Sequence, residues 1–424
     1  MATSPPSRQP DLLVIGGGVV GLAVARAWSH RNPSDRIVVL EKEGAPGLHA
    51  SGRNSGVLHA GFYYEPGSLK ARLTREGNRR WKEFCRERGL PLRETGKLLL
   101  PTRPSELDAF PLLLVRAREN EVPLREITAA EAREIEPRAL GLARALYSPE
   151  TAVVDPGATV AALARDTEAR GVEVLWGVRF VGNRGGRGDS RPSVRLSDGR
   201  TVTPGFIVNA AGLQADQVAR AFGYSRHHRI LPFRGSYLLS ANGDRPVGCC
   251  LYPVPDLSVP FLGIHLTPTA EGGEKIGPSA RPALWREHYG GLRGFRPGET
   301  AEIGWRQLRL LARNAFGFRF LAREAIRTGR RRVMVERAAG LAMGVKEEDY
   351  RRWGRPGIRA QLVNTRESRL EMDFRVEGDE RSLHILNAVS PGFTCALPFG
   401  ELLVDRVLEG RAMAGPDASD AAGT

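Results

Sequence analysis

The chain has 424 residues, 41% of them hydrophobic, and a formal net charge of +14. This length allows two or three domains with sizeable cores, and no run approaches the 18 apolar residues of a membrane-spanning helix. Only six of the 62 basic residues are Lys, and the Arg runs are short and lack interleaved aromatic residues, so we predict no nucleic-acid binding.

The ends of the chain and its cysteines bear on where the protein works. Residues 1–10 and 411–424 are predicted to be disordered tails, and the first lacks the apolar segment of a secretory signal. The cysteines form no C-x-x-C pair and no regular framework, which favours free thiols in a reducing compartment. We expect a cytoplasmic protein, with loose attraction to anionic lipid on the inner face of the membrane as an open alternative. The four are Cys85, Cys249, Cys250 and Cys395.

The first pattern along the chain is a strand–helix–strand unit. Residues 11–15 (DLLVI) form a continuous apolar run, which is typical of a buried parallel strand. An apolar helix pattern follows over 19–30, and 36–41 (RIVVLE) is a second buried strand. These segments predict a βαβ unit with a right-handed crossover.

Helix and strand patterns continue to about residue 230. Residues 44–67 are glycine-rich and predict a long loop, which in a compact domain is usually functional. A capping box, Thr128 with Glu131, opens a short helix, and Asp198-Gly199 marks a hairpin. The other predicted elements are helices over 68–88, 105–120 and 156–170 and strands over 96–101, 172–181 and 206–209.

The pattern changes over residues 230–280, where short runs of β-forming residues separated by Pro and Gly predict a mostly antiparallel sheet. Helix returns over 306–345. Strands over 358–363 and 383–388 precede a closing helix over 394–408.

Together these elements predict an α/β protein of two interleaved domains. A Rossmann-like dinucleotide-binding domain comprises residues 11–95, 150–230 and 355–410. An α+β second domain, built on the mostly antiparallel sheet, comprises residues 96–149 and 231–354.

A glycine motif lies between the first strand and helix. Gly16 permits the tight turn, Gly18 lets backbone N–H groups approach a pyrophosphate, and Gly21 lets the helix pack close to its strand. The helix N-terminus favours the phosphate charge. Glu41, twenty residues after Gly21, is placed to accept hydrogen bonds from an adenosine ribose, and Lys42 is assigned to the same site. The motif predicts an ADP-containing dinucleotide.

An acid at the end of the second strand suits NAD as well as FAD. The long glycine-rich loop directly after Glu41 favours FAD, because a nicotinamide enzyme would more often continue with another regular βα repeat.

The loop over residues 49–64 is dense in hydrogen-bonding side chains and glycines. Ser51, Asn54 and Ser55 are predicted to bind the pyrophosphate or ring heteroatoms, and Gly56 to let the backbone approach a flat ring. We predict that this loop contributes to the cofactor site.

Residues 51–71, SGRNSGVLHAGFYYEPGSLKA, resemble the signature of the L-2-hydroxyglutarate oxidase/dehydrogenase family, within the D-amino-acid-oxidase-like flavoproteins. Further segments resemble the family in the same order and together cover roughly residues 11–405. They are ETGKL, NAAGL, PFRGSY, YPVP, FLGIH, GIRAQ and SPGFT.

The resemblance implies FAD as cofactor and oxidation of L-2-hydroxyglutarate or a close 2-hydroxy acid, with hydride transfer to flavin N5. It makes the first domain FAD-binding and the second substrate-binding. The chain departs from the family pattern at Arg53, Thr74, Gly392-Phe393 and Pro398-Phe399. The exact acid therefore stays open.

A dicarboxylate substrate needs cations, and a guanidinium fork matches a carboxylate bidentately. Arg359 and Arg234 are the candidates because GIRAQ and PFRGSY resemble family segments. Tyr64 and Tyr252 are predicted either to hydrogen-bond the substrate or to be core aromatic residues.

The hydroxyl proton needs a base, and histidine titrates near neutrality. His59 is the first candidate, because it lies in the loop that should reach the flavin, and His265 on a predicted strand is the second. Covalent attachment of the flavin through His49 or His59 stays open. Lys70, at the start of a helix, is interpreted as solvated surface.

The resemblance also implies a role for the last predicted helix. Thr394 is predicted as its N-cap, and the family's C-terminal helix points its positive end at the flavin. Pro391 and Thr394 are therefore assigned to the cofactor site, as is Gly212 after the strand over 206–209. No metal ligands are predicted.

Two other functions compete with this one. The first is a related flavin oxidase acting on an amino acid, an amine or glycerol 3-phosphate, and the second is a non-catalytic flavoprotein or basic surface-binding module. The electron acceptor is oxygen, a quinone or an electron-transfer protein, and the sequence leaves these three open.

Overall fold

The structure, a computed structural model, describes residues 9–184, 192–241, 246–256 and 263–410. Apart from Gln9 and Pro10, the predicted tails lie outside these residues, as do Phe261 and Leu262 of the FLGIH segment. Gln9 Oε1 and Pro10 O accept hydrogen bonds from backbone N–H groups of residues 203–205, so this part of the first predicted tail is paired.

The described residues form 24 strands, many of them short. They are β1 Leu12–Ile15, β2 Ile37–Glu41, β3 Val57–Leu58, β4 Leu92–Arg93, β5 Lys97–Leu100, β6 Arg125–Thr128, β7 Arg144–Ser148, β8 Ala152–Val154, β9 Glu173–Trp176, β10 Phe180–Arg184, β11 Ser193–Leu196, β12 Thr201–Val202, β13 Phe206–Asn209, β14 His228–Gly235, β15 Leu238–Leu239, β16 Cys250–Pro253, β17 His265–Pro268, β18 Glu274–Gly277, β19 Arg281–Pro282, β20 Arg352–Trp353, β21 Gly357–Asn364, β22 Arg369–Leu370, β23 Arg375–Gly378 and β24 Ser382–Asn387.

The same residues form ten α-helices. They are α1 Val19–Arg31, α2 Leu69–Glu87, α3 Phe110–Glu119, α4 Ala129–Ile135, α5 Pro156–Glu168, α6 Ala215–Ala221, α7 Pro297–Arg313, α8 Phe318–Thr328, α9 Arg331–Ala339 and α10 Gly392–Leu408.

A six-stranded sheet has the order β23-β24-β13-β1-β2-β9, and all of its pairs are parallel except β23 with β24. Its strands are continuous apolar runs because helices cover both faces. Leu12 and Val14 of β1 face the side where α1 and α10 pack, whereas Leu13 and Ile15 face α6. This arrangement confirms the predicted Rossmann-like α/β unit.

An eight-stranded sheet has the order β20-β15-β18-β17-β16-β5-β7-β6. Its pairs are antiparallel except β5 with β16, where Lys97 lies opposite Cys250 in a parallel ladder. One face packs on α9 through Met334 and Val335, and the other packs on α3 through Phe110. The mostly antiparallel sheet is therefore confirmed.

The strands β14 and β21 pair antiparallel over eight residues and form a four-stranded sheet with β19 and β22. Ile358 and Leu362 of β21 join the core under the six-stranded sheet. The two larger sheets draw their strands from the two predicted sets of segments, and β14 crosses the boundary at residue 230. The division into domains stays a prediction.

Two predicted helices differ in the structure. The helix predicted over 306–345 is three helices, α7 to α9, because Asn314 and Phe316 adopt positive φ angles of 47° and 42° that end α7. The last helix begins at Gly392, and its N-cap is Pro391 rather than Thr394. None of the helices in the described segments is long and apolar enough to cross a membrane.

Candidate active site

A cavity of about 1000 Å³ runs from the carboxyl ends of β1, β2 and β13 to β16 and β17 of the eight-stranded sheet. Gly16 and Glu41 line one end of it, and Tyr252, His265 and Arg359 line the other. Ligands of parallel α/β sheets bind at the carboxyl ends of the strands. The volume is large enough for a dinucleotide and a small substrate.

The three glycines of the first turn have no room for a side chain. Gly16 has φ +112°, and a Cβ added there would lie 2.5 Å from Ala210 O. A Cβ on Gly21 would lie 1.9 Å from Gly16 O, so Gly21 packs α1 against β1 and does not itself line the cavity. Gly18 lines the cavity, and its added Cβ would lie 3.0 Å from Ser51 Oγ.

The N-terminus of α1 points its positive end into this part of the cavity. Gly18 is the N-cap, no acidic residue lies in the first turn, and Val19 N donates to Ser51 Oγ at 3.0 Å. A helix end without a carboxylate of its own favours a bound anion. Ser51 thus holds the loop against the end of α1.

Glu41 is held at the end of β2 by backbone donors. Its Oε2 accepts a hydrogen bond from Gly17 N and its Oε1 accepts one from Glu43 N, both at 2.9 Å. These bonds orient the carboxylate at the cavity wall and leave lone pairs for a further donor. Gly212, with φ +52° just beyond β13, lines the cavity as well.

Lys42 forms ion pairs inside the protein. Its Nζ pairs with Glu43 and with Glu287, the latter at 3.0 Å, and lies 2.9 Å from His49 Nε2. His49 Nδ1 lies 2.8 Å from Tyr289 Oη. The hydrogen bond from Lys42 lowers the pKa of Glu43 to about 2. The ammonium therefore ties the loop after β2 to residues 287–289.

The predicted loop donors are engaged within the loop. Asn54 Oδ1 accepts from Gly56 N at 2.8 Å, and Ser55 Oγ accepts from Val57 N at 3.3 Å. Gly56 has φ +70°, and a Cβ there would lie 2.3 Å from Val154 O. Gly56 does not line the cavity, so packing against β8 requires this glycine rather than the predicted approach to a ring.

The N-terminus of α10 reaches the middle of the same cavity, where Pro391 and Thr394 line it. Its first turn contains no acidic residue. The Thr394 hydroxyl accepts a hydrogen bond from His59 N at 3.3 Å and donates one to Val57 O at 3.4 Å. Thr394 therefore connects the helix to the loop instead of capping it, and a second positive helix end faces the cavity.

The inner end of the cavity is lined by Tyr237, Tyr252, His265, His59 and Arg359. Burial raises the pKa of Tyr237 to about 12 and lowers the pKa of Arg359. Burial lowers the pKa of His59 well below its usual range and that of His265 to about 3. Both imidazoles are therefore neutral near pH 7.

A buried lysine lies behind this wall. Lys97, 1% exposed, places its Nζ 3.4 Å from His59 Nδ1 and 4.4 Å from the centre of the Tyr252 ring. Lys97 was not among the predicted site residues, although it lies in the ETGKL segment of the resemblance. The cross-strand register with β16 brings it to the site.

Three further residues that the sequence singled out lie outside the lining of the cavity: Arg234, predicted to bind a carboxylate, Tyr64, left open as a core aromatic residue, and Lys70, interpreted as solvated surface. Arg234 does not line it, whereas Phe233 and Gly235 do, because successive side chains of a strand point to opposite faces. Lys70 Nζ donates to Met372 O instead of facing open solvent. Tyr64 Oη lies 3.1 Å from Tyr63 Oη, outside the lining.

The carboxylates that line the cavity are confined to one end of it. Among the described lining residues, the carboxylates are Glu41, Glu43 and Glu287, and all three lie at the end with the glycine turn. The inner end has the Arg359 guanidinium and, behind it, the Lys97 ammonium. This end suits an acidic ligand.

A positive helix end lies at the glycine turn and a second one lies at the middle of the cavity, and together they fit a flavin dinucleotide. The chain belongs to the FAD dependent oxidoreductase (DAO) family, whose model matches residues 11–406. FAD is accordingly its cofactor.

Among its relatives, the chain is 34% identical over 402 residues to the L-2-hydroxyglutarate dehydrogenase of Escherichia coli strain K12, covering 94% of this chain and 93% of that one. It is 33% identical over 424 residues to the human mitochondrial L-2-hydroxyglutarate dehydrogenase, covering 94% and 88%. These similarities bear out the family resemblance that the sequence motifs suggested.

Solved structures are similar in fold. The FAD-bound L-alpha-glycerophosphate oxidase of Mycoplasma pneumoniae has a TM-score of 0.73 at 19% identity, with 97% of each chain covered. The glycine oxidase of Geobacillus kaustophilus has a TM-score of 0.71 at 20% identity, with 96% of each covered. Identities this low show the shared fold alone.

Proposed function

We propose that the chain oxidises L-2-hydroxyglutarate, or a close 2-hydroxy acid, to the corresponding 2-oxo acid. The observation that carries this proposal is the inner end of the cavity, where the Arg359 guanidinium lies and where the described lining residues include no carboxylate. The full-length similarity to proteins named L-2-hydroxyglutarate dehydrogenases supports the same substrate.

Each inner residue has a chemical part in this reaction. Arg359 binds a substrate carboxylate, because its guanidinium presents paired donors in a water-poor cavity. Tyr237 and Tyr252 remain protonated near pH 7 and donate hydrogen bonds. His59 and His265, both neutral, are the candidates for handling the hydroxyl proton.

Other residues, at the opposite end of the cavity, would bind the cofactor. Gly16, Gly18 and the N-terminus of α1 would hold the pyrophosphate, and Glu41 the adenosine ribose. Bound FAD supplies the two-electron acceptor for the hydrogen on C2. The N-terminus of α10 supplies a positive field at the middle of the cavity.

Anaerobic addition of substrates to the purified yellow holoenzyme tests the substrate assignment. We expect L-2-hydroxyglutarate to bleach the flavin absorbance, and its D-enantiomer, glycine, proline and glycerol 3-phosphate to leave it unchanged. Bleaching by an amino acid or by glycerol 3-phosphate, with no response to L-2-hydroxyglutarate, would establish the related-oxidase alternative and refute this proposal.

We further infer that the acceptor is a quinone reached at an anionic membrane. The support is the surface of residues 292–330, which combines exposed apolar side chains with an excess of Arg. This segment has nine Arg and three Glu, a net charge of +6. Large apolar side chains are exposed there: Leu292, Phe295, Trp305, Leu308, Leu311, Phe320 and Ile326.

The exposed fractions make this surface unlike ordinary protein surface. Trp305 is 62% exposed, Ile326 63% and Leu292 78%. Clustered exposed apolar residues mark interaction sites, and a basic amphipathic helix with Trp and Phe lies in the interface of anionic bilayers. The surface is thus complementary to an anionic lipid headgroup layer.

Vesicle flotation tests this surface. We expect the holoenzyme to float with vesicles of phosphatidylcholine plus phosphatidylglycerol and not with phosphatidylcholine alone. The variants Trp305→Ser and Ile326→Ser should lose flotation while keeping flavin reduction by substrate. Met372→Ser, also exposed but outside the segment, is the control. Equal flotation of wild type and variants would refute the assignment, as would faster turnover with oxygen than with a quinone analogue.

A further inference from the structure

Two histidines at the inner end of the cavity have hydrogen-bond partners of opposite character. His59 Nδ1 faces the Lys97 ammonium at 3.4 Å, whereas His265 Nδ1 faces the carbonyl oxygen of Gly263 at 3.0 Å. An ammonium only donates and a carbonyl only accepts. The partners therefore fix different tautomers in the two neutral rings.

In His59, Nδ1 must accept a hydrogen bond, so the ring hydrogen lies on Nε2. This holds while Lys97 is protonated, and among the described residues Lys97 makes no ion pair with a carboxylate that would compete for its hydrogens. The backbone of His59 is anchored because its N–H donates to Thr394 and its carbonyl accepts from Asn78 at 3.3 Å. His59 thus presents a hydrogen-bond donor.

In His265, Nδ1 carries the hydrogen, because it donates to Gly263 O. Its Nε2 is then a bare lone pair, and this atom is buried with no hydrogen-bond partner among the described residues. The ring is stacked on Tyr252 with centroids 3.8 Å apart and an interplanar angle of 12°, which fixes its direction. A buried hydrogen-bond acceptor that has no partner and lies beside a cavity indicates that a ligand in the cavity donates a hydrogen bond to it.

We propose that Lys97 is a positioning residue that holds His59 as an Nε2–H donor to a substrate oxygen, and that His265 Nε2 receives the hydroxyl proton. The proposal rests on the proposed function. The O–H bond at C2 breaks and an N–H bond forms at His265 Nε2. The hydrogen on C2 leaves with its electron pair, for which the family's FAD is the acceptor. The order of the two histidines is the reverse of the one that the sequence favours.

Several titratable groups face Lys97, and they set the pH at which it works. They are His59 and Tyr63 from the cofactor loop, Cys249 just before β16, Cys250 and Tyr252 on β16, and His265 on β17. Burial lowers the pKa of Lys97 to about 8. Lys97 is therefore charged at neutral pH and loses its proton as the pH rises through about 8.

Nitrogen NMR of the holoenzyme with ¹⁵N-labelled histidine tests the tautomers directly. We expect Nε2–H for His59 and Nδ1–H for His265 at pH 7. In Lys97→Met, His59 should no longer be held as the Nε2–H tautomer and should show a mixture of both tautomers. In Lys97→Arg, His59 should remain the Nε2–H tautomer. An Nδ1–H tautomer for His59 at pH 7, or an Nε2–H tautomer for His265, would overturn the inference whatever the substrate proves to be.

Rates of flavin reduction test the roles. Glutamine offers an N–H donor but no base, so we expect His59→Gln to retain most of the rate and His265→Gln to lose about 100-fold or more. A larger loss in His59→Gln than in His265→Gln would overturn the assignment. If another substrate class reduces the flavin while the two tautomers stand, the proposed function fails and the tautomer assignment survives.

The pH profile distinguishes Lys97 from Lys275 of β18, a second lysine whose pKa burial lowers to about 8. We expect kcat/KM to fall above about pH 8 in wild type and in Lys275→Arg. In Lys97→Arg the decrease of kcat/KM should move to higher pH. In Lys97→Met kcat/KM should be low at all pH values and should not decrease further above about pH 8. A rate that rises through pH 8 would mean that neutral Lys97 is the active form and would refute the proposal.

Discussion

Replacing Lys97 with Met is expected to stabilise the protein while slowing its reaction. The side chain is 1% exposed, and burial lowers its pKa from 10.5 to about 8. Because one pKa unit corresponds to about 1.4 kcal/mol, holding the ammonium in the folded state costs about 3 kcal/mol of unfolding free energy. Met fills a similar volume without the charge and removes that cost.

The cost of burying the Lys97 ammonium depends on pH. Below pH 8 Lys97 is protonated in both the folded and the unfolded chain, so the whole cost is present. Between pH 8 and 10.5 the folded chain loses the proton first, and the cost disappears. The Met variant should therefore exceed wild type by about 3 kcal/mol at pH 7, and the difference should shrink towards zero near pH 10.5.

Urea unfolding followed by tryptophan fluorescence, at several pH values, measures the difference. Lys82→Met is the matched control, because Lys82 is also buried but pairs with Glu94 and Glu150 at 3.3 Å. That variant should not gain stability. A Lys97→Met protein no more stable than wild type at pH 7, or a difference that is flat with pH, would refute the reasoning.

Three further predictions address other parts of the molecule. Arg359→Met should lower kcat/KM for the dicarboxylate by about 100-fold or more, measured by steady-state kinetics, with Arg359→Lys recovering only part of it; equal rates in Lys and Met would contradict a bidentate contact. Gly16→Ala should yield protein with little bound flavin by absorbance, because its Cβ would lie 2.5 Å from a backbone oxygen, whereas Gly44→Ala, in open space, should retain it. Asp216→Ala should lower the unfolding free energy by about 3 kcal/mol in urea titrations, since it removes the carboxylate 2.7 Å from the buried Arg286 guanidinium and leaves Glu299, at 3.0 Å, as its ion-pair partner among the described residues; a loss below about 1 kcal/mol would show that Glu299 or water compensates for the lost pair.

The dinucleotide end was predictable because its determinants are local. The turn, the helix start and the acid all lie between β1 and the end of β2, and the spacing from Gly16 to Glu41 encodes their geometry. The steric reason for Gly21 is local as well, because its Cβ would meet Gly16 O. By contrast, Gly16 and Gly56 are also required by Ala210 O and Val154 O, which are distant in sequence.

The substrate end was harder to predict because long-range register sets it. Lys97 lies next to Tyr252 because β5 pairs with β16, and no periodicity in the sequence predicts that pairing. The order of the histidines depends on which atom each Nδ1 meets, whereas the sequence favoured His59 from its place in the loop alone. Arg234 was also hard to predict, because a difference of one residue along β14 decides whether a side chain faces the cavity or the opposite side of the sheet.

The late element α10 has a consequence for how the protein is made. It packs on α1, where a Cβ at Gly400 would lie 2.7 Å from Ala23 C, and its N-terminus reaches the cavity. The ribosome thus releases the first half of the cofactor site more than 350 residues before the part that completes it. Contacts so distant along the chain form slowly. Tight flavin retention would then report a finished chain, and the yellow colour would distinguish complete molecules from truncated ones.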